Sequence, residues 1–542
     1  MIYLGINGGF GGGYQDAAAC FMRDGKILFA AEEERFSRVK FSPSVLPLLS
    51  LQKGIEYLRI KSSDISHIAL HGEIWQGNKT AKVAEYLKRN FGISGEIHFY
   101  NHHLCHAAAS YYASALENAL VITMDSSGDG ISTQISKWNA SGYEILKTYT
   151  RPQSLGFFYS LITQYCGFRR DADEYKLMGL APYSKSETLP DISFLLKVEK
   201  GQYHIDNQYL NGFVEGTPAP DKQESLWNSN FEQKLGFPPR IPGTPMDEKY
   251  IDLAKAAQAQ LEQVFIELIS HWTTQTGLKN VCLGGGVALN CSANMKVEQT
   301  FDLDAYFIPP FTGDQGITIG AAYLASFQNG ISPQKETSPY LGKSYSYEEI
   351  RQALINCKVS FMELENLFKG ASELLSKGKI IAWHQGRSEI GPRALGNRSI
   401  LAYAGLENVK DKINAQIKFR EAFRPFCPAV LEEDFQQYFE SKHGHYPYMN
   451  INVGVKESAK QLFPEIAHID GSARVQTVSE SENSSFYHLL KELKTLTGHG
   501  LLLNTSFNVR NHPIVETPYD ALECFFASGL DALIIDRFLL LK

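Results

Sequence analysis

Two stretches of this chain follow one plan, and that repetition limits the folds open to it more than any other feature. Residues 2–31 read as strand, glycine turn, strand, turn and strand: Ile2 to Ile6, the Gly8 to Gly13 cluster, Ala17 to Met22, Asp24-Gly25, then Lys26 to Ala31. Residues 120–146 repeat it with Val121 to Met124, the turn Asp125-Ser-Ser-Gly-Asp-Gly, Ile131 to Trp138, the turn Ser141-Gly142 and Tyr143 to Leu146. Short apolar runs punctuated by Gly, Asp and Ser read as strands and hairpins. A strand that leads into a glycine or aspartate turn presents backbone N–H groups to anions. A third element has the same character: the buried strand Asn280-Val-Cys-Leu runs into Gly284-Gly285-Gly286-Val-Ala-Leu-Asn290 and the helical Cys291-Ser-Ala-Asn294-Met-Lys. Glycines between a strand and a helix let backbone amides approach an adenosine or its phosphates closely, the alternative being a plain packing turn.

Together the two copies point to an α/β protein with the duplicated actin-like, sugar-kinase-like ATPase fold, whose paired glycine turns wrap nucleotide phosphates. Between the copies lies Asn101-His102-His103-Leu104-Cys105-His106, followed by Ala107-Ala108-Ala109-Ser110. With Asn101 as cap, a helix starting here puts His102 and His106 one turn apart on one face, the spacing of a two-imidazole metal site. Such a pair either holds a metal or merely packs and caps a helix. Two Gly-flanked aspartates after apolar runs, Asp125 and Asp314 in Phe311-Thr-Gly-Asp-Gln-Gly-Ile, tilt the reading to metal, because α/β proteins present ligands at strand ends. Imidazole and carboxylate donors without a thiolate suit Fe(II), Mn(II) or Zn better than a Cys-based structural zinc.

At 542 residues the chain exceeds what one core supports. Its character changes across the Pro- and Ser-containing stretch Gly330 to Gly342, dividing it into 1–338 and 339–542. The net charge of -7 argues against a general nucleic-acid or membrane-surface binder. No apolar run is long enough to span a bilayer, and Met1-Ile-Tyr-Leu-Gly-Ile reads as a strand rather than a leader, so the expected compartment is the cytoplasm. The eight cysteines lack C-x-x-C spacing and read as reduced, mostly buried thiols.

The run Glu32-Glu-Glu-Arg-Phe-Ser-Arg-Val-Lys40 reads as a solvated helix face from which Lys40 reaches a phosphate. Residues 200–245 are polar, with several Gly and Pro, and read as an inserted loop or flap over an acceptor; Ile251 to Thr274 then forms a long amphipathic helix. In the last third, the strand Lys379 to Trp383 leads to Gly386-Arg-Ser-Glu-Ile-Gly-Pro-Arg393-Ala-Leu-Gly-Asn-Arg-Ser399. Lys418-Phe-Arg-Glu-Ala-Phe-Arg424, Asp470-Gly-Ser-Ala-Arg474 and Leu503-Asn504-Thr-Ser506-Phe-Asn508 follow. Singly, each arginine reads as a surface ion pair. Four clusters beside Gly, Ser and Asn turns in an acidic protein are arranged to bind a compact oxyanion such as phosphate.

Over nearly its whole length the chain resembles the O-carbamoyltransferases of antibiotic and nodulation-factor biosynthesis. The matching stretches are Ala31-Glu-Glu-Glu-Arg-Phe, His102-His-Leu-Cys-His106, Glu174-Tyr-Lys-Leu-Met-Gly-Leu-Ala-Pro-Tyr183, Gly284 to Asn290, Gly313-Asp-Gln-Gly, Gly391-Pro-Arg-Ala-Leu-Gly-Asn-Arg-Ser399 and Leu503 to Asn508. The resemblance implies an actin-like domain over 1–338 coupled to a YrdC-like α/β domain over 339–542. It implies that the second domain converts carbamoyl phosphate and ATP to carbamoyl-adenylate, and that the first passes the carbamoyl group to a hydroxyl of a small secondary metabolite. On that reading Arg393, Arg424 and Arg474 bind carbamoyl phosphate, and Asn504 and Ser506 orient the carbamoyl group or the mixed anhydride. A metal on His102, His106, Asp125 and Asp314 polarises the adenylate, while Gly284, Gly285, Gly286, Asn290 and Lys40 hold the nucleotide with Mg2+. The implied partners are the acceptor, carbamoyl phosphate and ATP, acting on a monomer or homodimer.

Two departures stand out. The family carries His-Asp-Ala-Ser after the first strand, where this chain has Tyr14-Gln15-Asp16-Ala17, and glutamine takes no proton at neutral pH. Either Asp16 or the metal then activates the nucleophile, or the acceptor is an amine or guanidine. The second is Asn511-His512, where the family has Gly-Glu, and it is expected only to reshape a turn. Two other classes would also use nucleotide turns. A phosphotransferase on the actin-like fold leaves the arginine-rich domain without a purpose, and a non-catalytic ATP-binding regulatory module needs neither metal ligands nor the Asn504 to Asn508 turn.

Overall fold

The computed structural model describes residues 1–9, 16–211, 224–335, 338–421, 423–424 and 426–542, the side chains of 75, 76 and 78 excepted. The glycine-rich residues 10–13 and the Tyr14-Gln15 departure lie outside the described residues.

The first sheet contains β1 (Ile2–Asn7), β2 (Ala18–Arg23), β3 (Lys26–Glu32), β4 (Ile65–His71) and β5 (Glu96–Tyr100), in the order β3-β2-β1-β4-β5. Its hairpin pairs β1-β2 and β2-β3 are antiparallel, and β1-β4 and β4-β5 are parallel. The second sheet contains β6 (Asn118–Gly128), β7 (Ile131–Asn139) and β8 (Gly142–Thr150). After the hairpin β9 (Leu196–Glu199) and β10 (Gln202–Ile205), it is completed by β11 (Asn280–Gly284) and β12 (Ala305–Phe307). Its order is β8-β7-β6-β11-β12, with β6-β7 and β7-β8 antiparallel and β6-β11 and β11-β12 parallel. Strand for strand this is the first sheet again. The fold is α/β with the duplicated actin-like topology that the repeated sequence plan predicts.

A mixed eight-stranded sheet follows, built from β13 (Met362–Glu363), β14 (Ile381–His384), β15 (Arg398–Tyr403), β16 (Cys427–Leu431), β20 (Gln476–Val478), β21 (Leu501–Ser506), β22 (Ala532–Ile535) and β23 (Phe538–Leu541). Strands β17 (Phe439–Glu440), β18 (Asn452–Val455) and β19 (Ser472–Arg474) form a small sheet of their own. The chain divides into two compact units. One comprises residues 1–71, 75–100 and 313–542, so the first and eight-stranded sheets share it; the other comprises 72–74 and 101–312.

In the first unit, Ile2, Leu4 and Ile6 of β1 meet Phe21, Phe29, Leu51, Val83 and Leu87 on one face of the first sheet. Each such side chain contributes roughly 1.5–3 kcal/mol by leaving water. On the other face, a Cβ on Gly5 would fall 1.9 Å from the carbonyl oxygen of Thr318, so only glycine lets the helix Ile317–Gln328 lie on the strand. In the second unit, the helix expected over 251–274 spans Glu248–Thr276 and stops at Gly277, whose φ of 69° is left-handed. Among the described residues no helix is long and apolar enough to cross a membrane. All eight cysteines are free thiols, and only Cys357 is exposed.

Two expectations need correction. The charged run after β3 is not a solvated face: Glu32, Glu33 and Arg35 are only 6%, 1% and 1% exposed. Glu33 accepts from the N–H groups of Leu49 and Ser50 at 2.9 and 2.7 Å, at the start of the helix Leu48–Leu58. Arg35 donates to the carbonyl of Gly391 at 2.8 Å, and Glu32 accepts from the N–H of Gly391 at 2.7 Å. Partners far along the chain, invisible to a local charge count, turn these residues inward. Segment 200–245 is not uniformly an open loop either. Outside residues 212–223, which are not described, it contains β10, the helix Ser229–Leu235 and the buried Leu226, Trp227 and Phe231.

Candidate metal centre and anion-binding groups

The helix His102–Ala113 starts as its sequence predicts. Asn101 sits in extended conformation and its side-chain oxygen accepts from the N–H groups of His103 and Leu104 at 3.0 and 3.4 Å. The cap starts the helix at His102, and the four-residue spacing puts His102 and His106 on one face. Their Nε2 atoms lie 3.1 Å apart, and Asp125 Oδ2, in the last part of β6, is 3.3 Å from one and 3.2 Å from the other. The other carboxylate oxygen of Asp125 accepts from the N–H of Ser126 at 2.7 Å. Both imidazoles are almost completely buried. Burial pushes the Asp125 carboxyl up, but hydrogen bonds from His102 and His106 outweigh it and hold the group well below the usual carboxylate range.

The turn after Asp125 clamps this arrangement. Asp129 accepts from the N–H of His102 at 2.8 Å and from that of Gly72 at 3.1 Å. A Cβ on Gly128 would lie 1.9 Å from the ring carbon Cγ of His102, so the imidazole occupies the space a side chain would need. His103 points elsewhere: its ring nitrogens meet Thr123 Oγ1 at 2.8 Å and the Ile131 carbonyl at 3.1 Å, a structural tie between helix and sheet. Metal bonds of about 2.0–2.2 Å put neighbouring ligand atoms roughly 2.8–3.6 Å apart, from octahedral to tetrahedral angles. The three atoms of His102, His106 and Asp125 therefore fit one divalent ion as they stand. Asp314 belongs to the first unit, two residues past the end of the second, where it opens the turn Asp314–Gly316 and its carbonyl accepts from Asn7 Nδ2 at 3.2 Å.

The glycines of 284–286 serve a close approach of β11 to β6. Cβ atoms there would meet Ser110 Oγ at 2.6 Å, the Met124 carbonyl oxygen at 2.2 Å and Asp125 Oδ1 at 3.2 Å, and Gly285 has a left-handed φ of 85°. Asn290 caps the helix Cys291–Thr300 by accepting from the N–H of Ala293 at 2.9 Å, and it pairs with Gln258 through both amide groups.

The anion-binding candidates lie in the first unit. Lys418 is nearly buried and donates to Ser506, through both its carbonyl and Oγ, and to Asn508, 2.6 Å from Oδ1. Burial first, then the neighbouring Arg420, Arg424 and Lys40, pull its proton affinity well below that of an ordinary lysine. Asn414 orders the loop by accepting from Arg420 Nε at 2.6 Å and donating to the Arg424 carbonyl at 3.3 Å. Arg474 Nε donates to Cys427 Sγ at 2.9 Å, and Cys427 pairs in register with Asn504. Asn504 in turn donates to the carbonyl of Ala394, next to Arg393, at 3.2 Å. Asp16 is held through its main chain, its N–H donating to the Phe41 carbonyl at 2.7 Å and its carbonyl accepting from Asn7 Nδ2 at 3.1 Å.

The family model described as Carbamoyltransferase N-terminus matches residues 66–323, and that described as Carbamoyltransferase C-terminus matches residues 372–542. Nodulation protein NolNO of Sinorhizobium fredii is 33% identical over 586 residues, covering 100% of this chain and 83% of that protein. Nodulation protein NolO of Bradyrhizobium diazoefficiens is 34% identical over 451 residues, covering 82% of this chain and 79% of that one. Uncharacterized protein sll1178 of Synechocystis is 33% identical over 599 residues, covering 98% and 95%. The chain belongs to the carbamoyltransferase family.

In this carbamoyltransferase the residue that sequence reasoning passed over is Lys418. Its signal was present, a lysine opening the cluster that ends at Arg424, but a lone lysine beside two arginines gives no hint of burial. The structure also sorts the arginines of the Gly386 to Ser399 stretch. Arg387 donates to the carbonyls of Gly342 and Leu28 at 2.9 and 2.8 Å, and the fully buried Arg398 to that of Gln385 at 2.7 Å, so both are structural. Asn511, the second departure from the family pattern, has a φ of 64°. Asparagine tolerates the left-handed region that glycine favours.

Proposed function

We propose that this carbamoyltransferase forms carbamoyl-adenylate from carbamoyl phosphate and ATP and transfers the carbamoyl group to a hydroxyl of a small secondary-metabolite acceptor, or to an amine or guanidine, in the cytoplasm. On this reading a YrdC-like domain over 339–542 makes the adenylate, and the actin-like part over 1–338 carries the nucleotide and metal. The observation that supports it best is the state of Asn504. Gln476 Nε2 donates to the Leu395 carbonyl at 2.8 Å, which leaves Gln476 Oε1 to accept from Asn504 Nδ2 at 2.9 Å. With its amide thus oriented, Asn504 Oδ1 is buried and meets no donor among the described residues. An unmet acceptor of this kind costs about 1–3 kcal/mol. It calls for an N–H donor beside groups that call for an anion, and carbamoyl phosphate carries both an amide and a phosphate.

Arg393, Arg424 and Arg474, with Lys418, would bind the phosphate and the charge that develops on it, while Asn504 and Ser506 fix the carbamoyl end. Joining the carbamoyl oxygen to AMP releases phosphate from one substrate and pyrophosphate from the other and takes up one water. Gly284, Gly285, Gly286, Asn290 and Lys40 would hold the nucleotide with its Mg2+. His102, His106 and Asp125, with Asp314 as the fourth ligand, would hold a divalent ion, Fe(II) before Mn(II) or Zn. When bound, that ion supplies Lewis-acid polarisation of the group being transferred. Asp125 stays ionised and aims both imidazoles, and Asp16 takes the proton of the acceptor.

Incubation with carbamoyl phosphate and ATP tests the reading. Release of both phosphate and pyrophosphate is expected, with a carbamoylated product once an acceptor is added. Transfer of phosphate to a sugar would instead mark a phosphotransferase, and tight ATP binding without turnover a regulatory module.

A further inference from the structure

Strands β4 and β5 are parallel, and their register sets His67 opposite Glu96 and Ala69 opposite His98. Side chains two apart on a strand share a face, so Glu96 and His98 flank His67 from the neighbouring strand. His67 Nδ1 and His98 Nε2 are 3.1 Å apart, and Glu96 Oε2 lies 3.5 Å from the first and 3.8 Å from the second. Ligand bonds of about 2.0–2.2 Å at tetrahedral angles require edges of roughly 3.3–3.6 Å, and small side-chain rotations bring this triangle to that size. We propose that His67, His98 and Glu96 form a second binding site for a divalent transition metal of the zinc class, separate from the candidate centre at His102.

Three features argue for an ion rather than incidental packing. The two facing nitrogens share a single hydrogen when both rings are neutral, and a carboxylate beside them brings only another acceptor. Once a cation takes the place of that hydrogen, with each ring carrying its own hydrogen on the far nitrogen, three lone-pair donors converge on one point. The His67 ring is also held in orientation, stacked on Tyr3 with centroids 4.8 Å apart and planes 11° from parallel. Finally, the histidines are largely buried while the Glu96 side chain is 68% exposed, so an ion has an entry path and a water completes its shell.

The location defines the role. His67 and Glu96 stand at the beginnings of parallel strands, whereas the pair His71 and Asn7, with Nε2 and Oδ1 2.9 Å apart, lies at the opposite end of the sheet. Ligands that take part in chemistry gather at the carboxyl ends of such strands. A metal at the other end is structural, and it ties the edge strand β5 to β4.

The test is a zinc titration of the chelator-treated full chain, by calorimetry or against a chromophoric zinc indicator, for wild type, His98→Gln and Glu96→Gln. One equivalent of zinc fewer is expected for His98→Gln than for wild type, and Glu96→Gln should weaken that equivalent at least tenfold. Because Glu96 is exposed, its variant folds even where a histidine variant does not. His106→Ala should retain this equivalent, which separates it from the other centre. Zinc stoichiometry and affinity unchanged from wild type in both His98→Gln and Glu96→Gln would overturn the proposal.

Discussion

The candidate metal-ligand cluster of the second unit and the candidate anion-binding group of the first are assembled in opposite ways. His102, His106 and Asp125 come from one helix turn and the strand that follows it, and a single residue, Asn101, caps that turn. The candidate anion-binding group draws on the turn at Gly391, the loop from Asn414 to Arg424, and strands β16, β19, β20 and β21. A centre built locally tolerates change elsewhere and fails when one ligand goes. One built from distant segments is linked through shared hydrogen bonds, so several single changes disable it and none acts alone.

The sharpest way to break that contrast is to remove one member of each. His106→Ala should abolish acceptor carbamoylation and lower bound metal, while pyrophosphate release from ATP and carbamoyl phosphate continues at the wild-type rate. Transfer by this variant at the wild-type rate would sink the division of labour. Lys418→Met and Arg424→Ala should each lower pyrophosphate release about 10²–10³-fold, the usual loss when one preorganised donor to a developing anion is removed. Both should keep the metal content of wild type.

What could be read from the sequence follows the same line. Asn101, His102 and His106 were legible because cap and helix period act within one turn, and the duplicated sheets were legible because each copy carries its own strand and turn signals. Lys418 and the inward-facing Glu32 and Arg35 were not, since their partners sit on segments far away in the chain. The three glycines at 284–286 were recognised as permitting a close approach. What visibly comes close is the end of β6 that bears Asp125. The grouping of the first sheet with residues 313–542 was equally hidden. It depends on contacts such as that of Arg38, which donates to the carbonyls of Ile514 and Pro513 at 2.7 and 3.0 Å.

Smaller effects sharpen the comparison. Gly128→Ala forces a methyl onto the His102 ring, and a cost of about 1–3 kcal/mol should appear in denaturant unfolding together with reduced metal binding. Pyrophosphate release should fall no further than the loss of folded protein explains. For Lys418, a folded-state pKa below the ordinary 10.5 means that the unfolded chain keeps a proton the native chain has lost between those two values. Stability should therefore rise with pH across that window, and Lys418→Met should flatten the rise. An anion bound beside Lys418 restores its charge, so carbamoyl phosphate should bind with proton uptake in the same window. Calorimetry in two buffers of different ionisation enthalpy measures it, and the uptake should vanish in Lys418→Met.

The mildest change is Asn101→Ala. It removes an acceptor from two N–H groups at the head of the helix His102–Ala113 but touches neither imidazole. Loss of such a cap costs about 0.5–2 kcal/mol, to be read from the urea midpoint, and Asn101→Asp should recover most of it because an aspartate accepts the same bonds. If the cap also sets the phase of the ligands, metal affinity should fall in the alanine variant and return in the aspartate variant, in step with stability. Should affinity stay constant while stability falls, the turn from Asp125 to Asp129 alone positions His102. The local centre would then rest on its strand rather than on its helix.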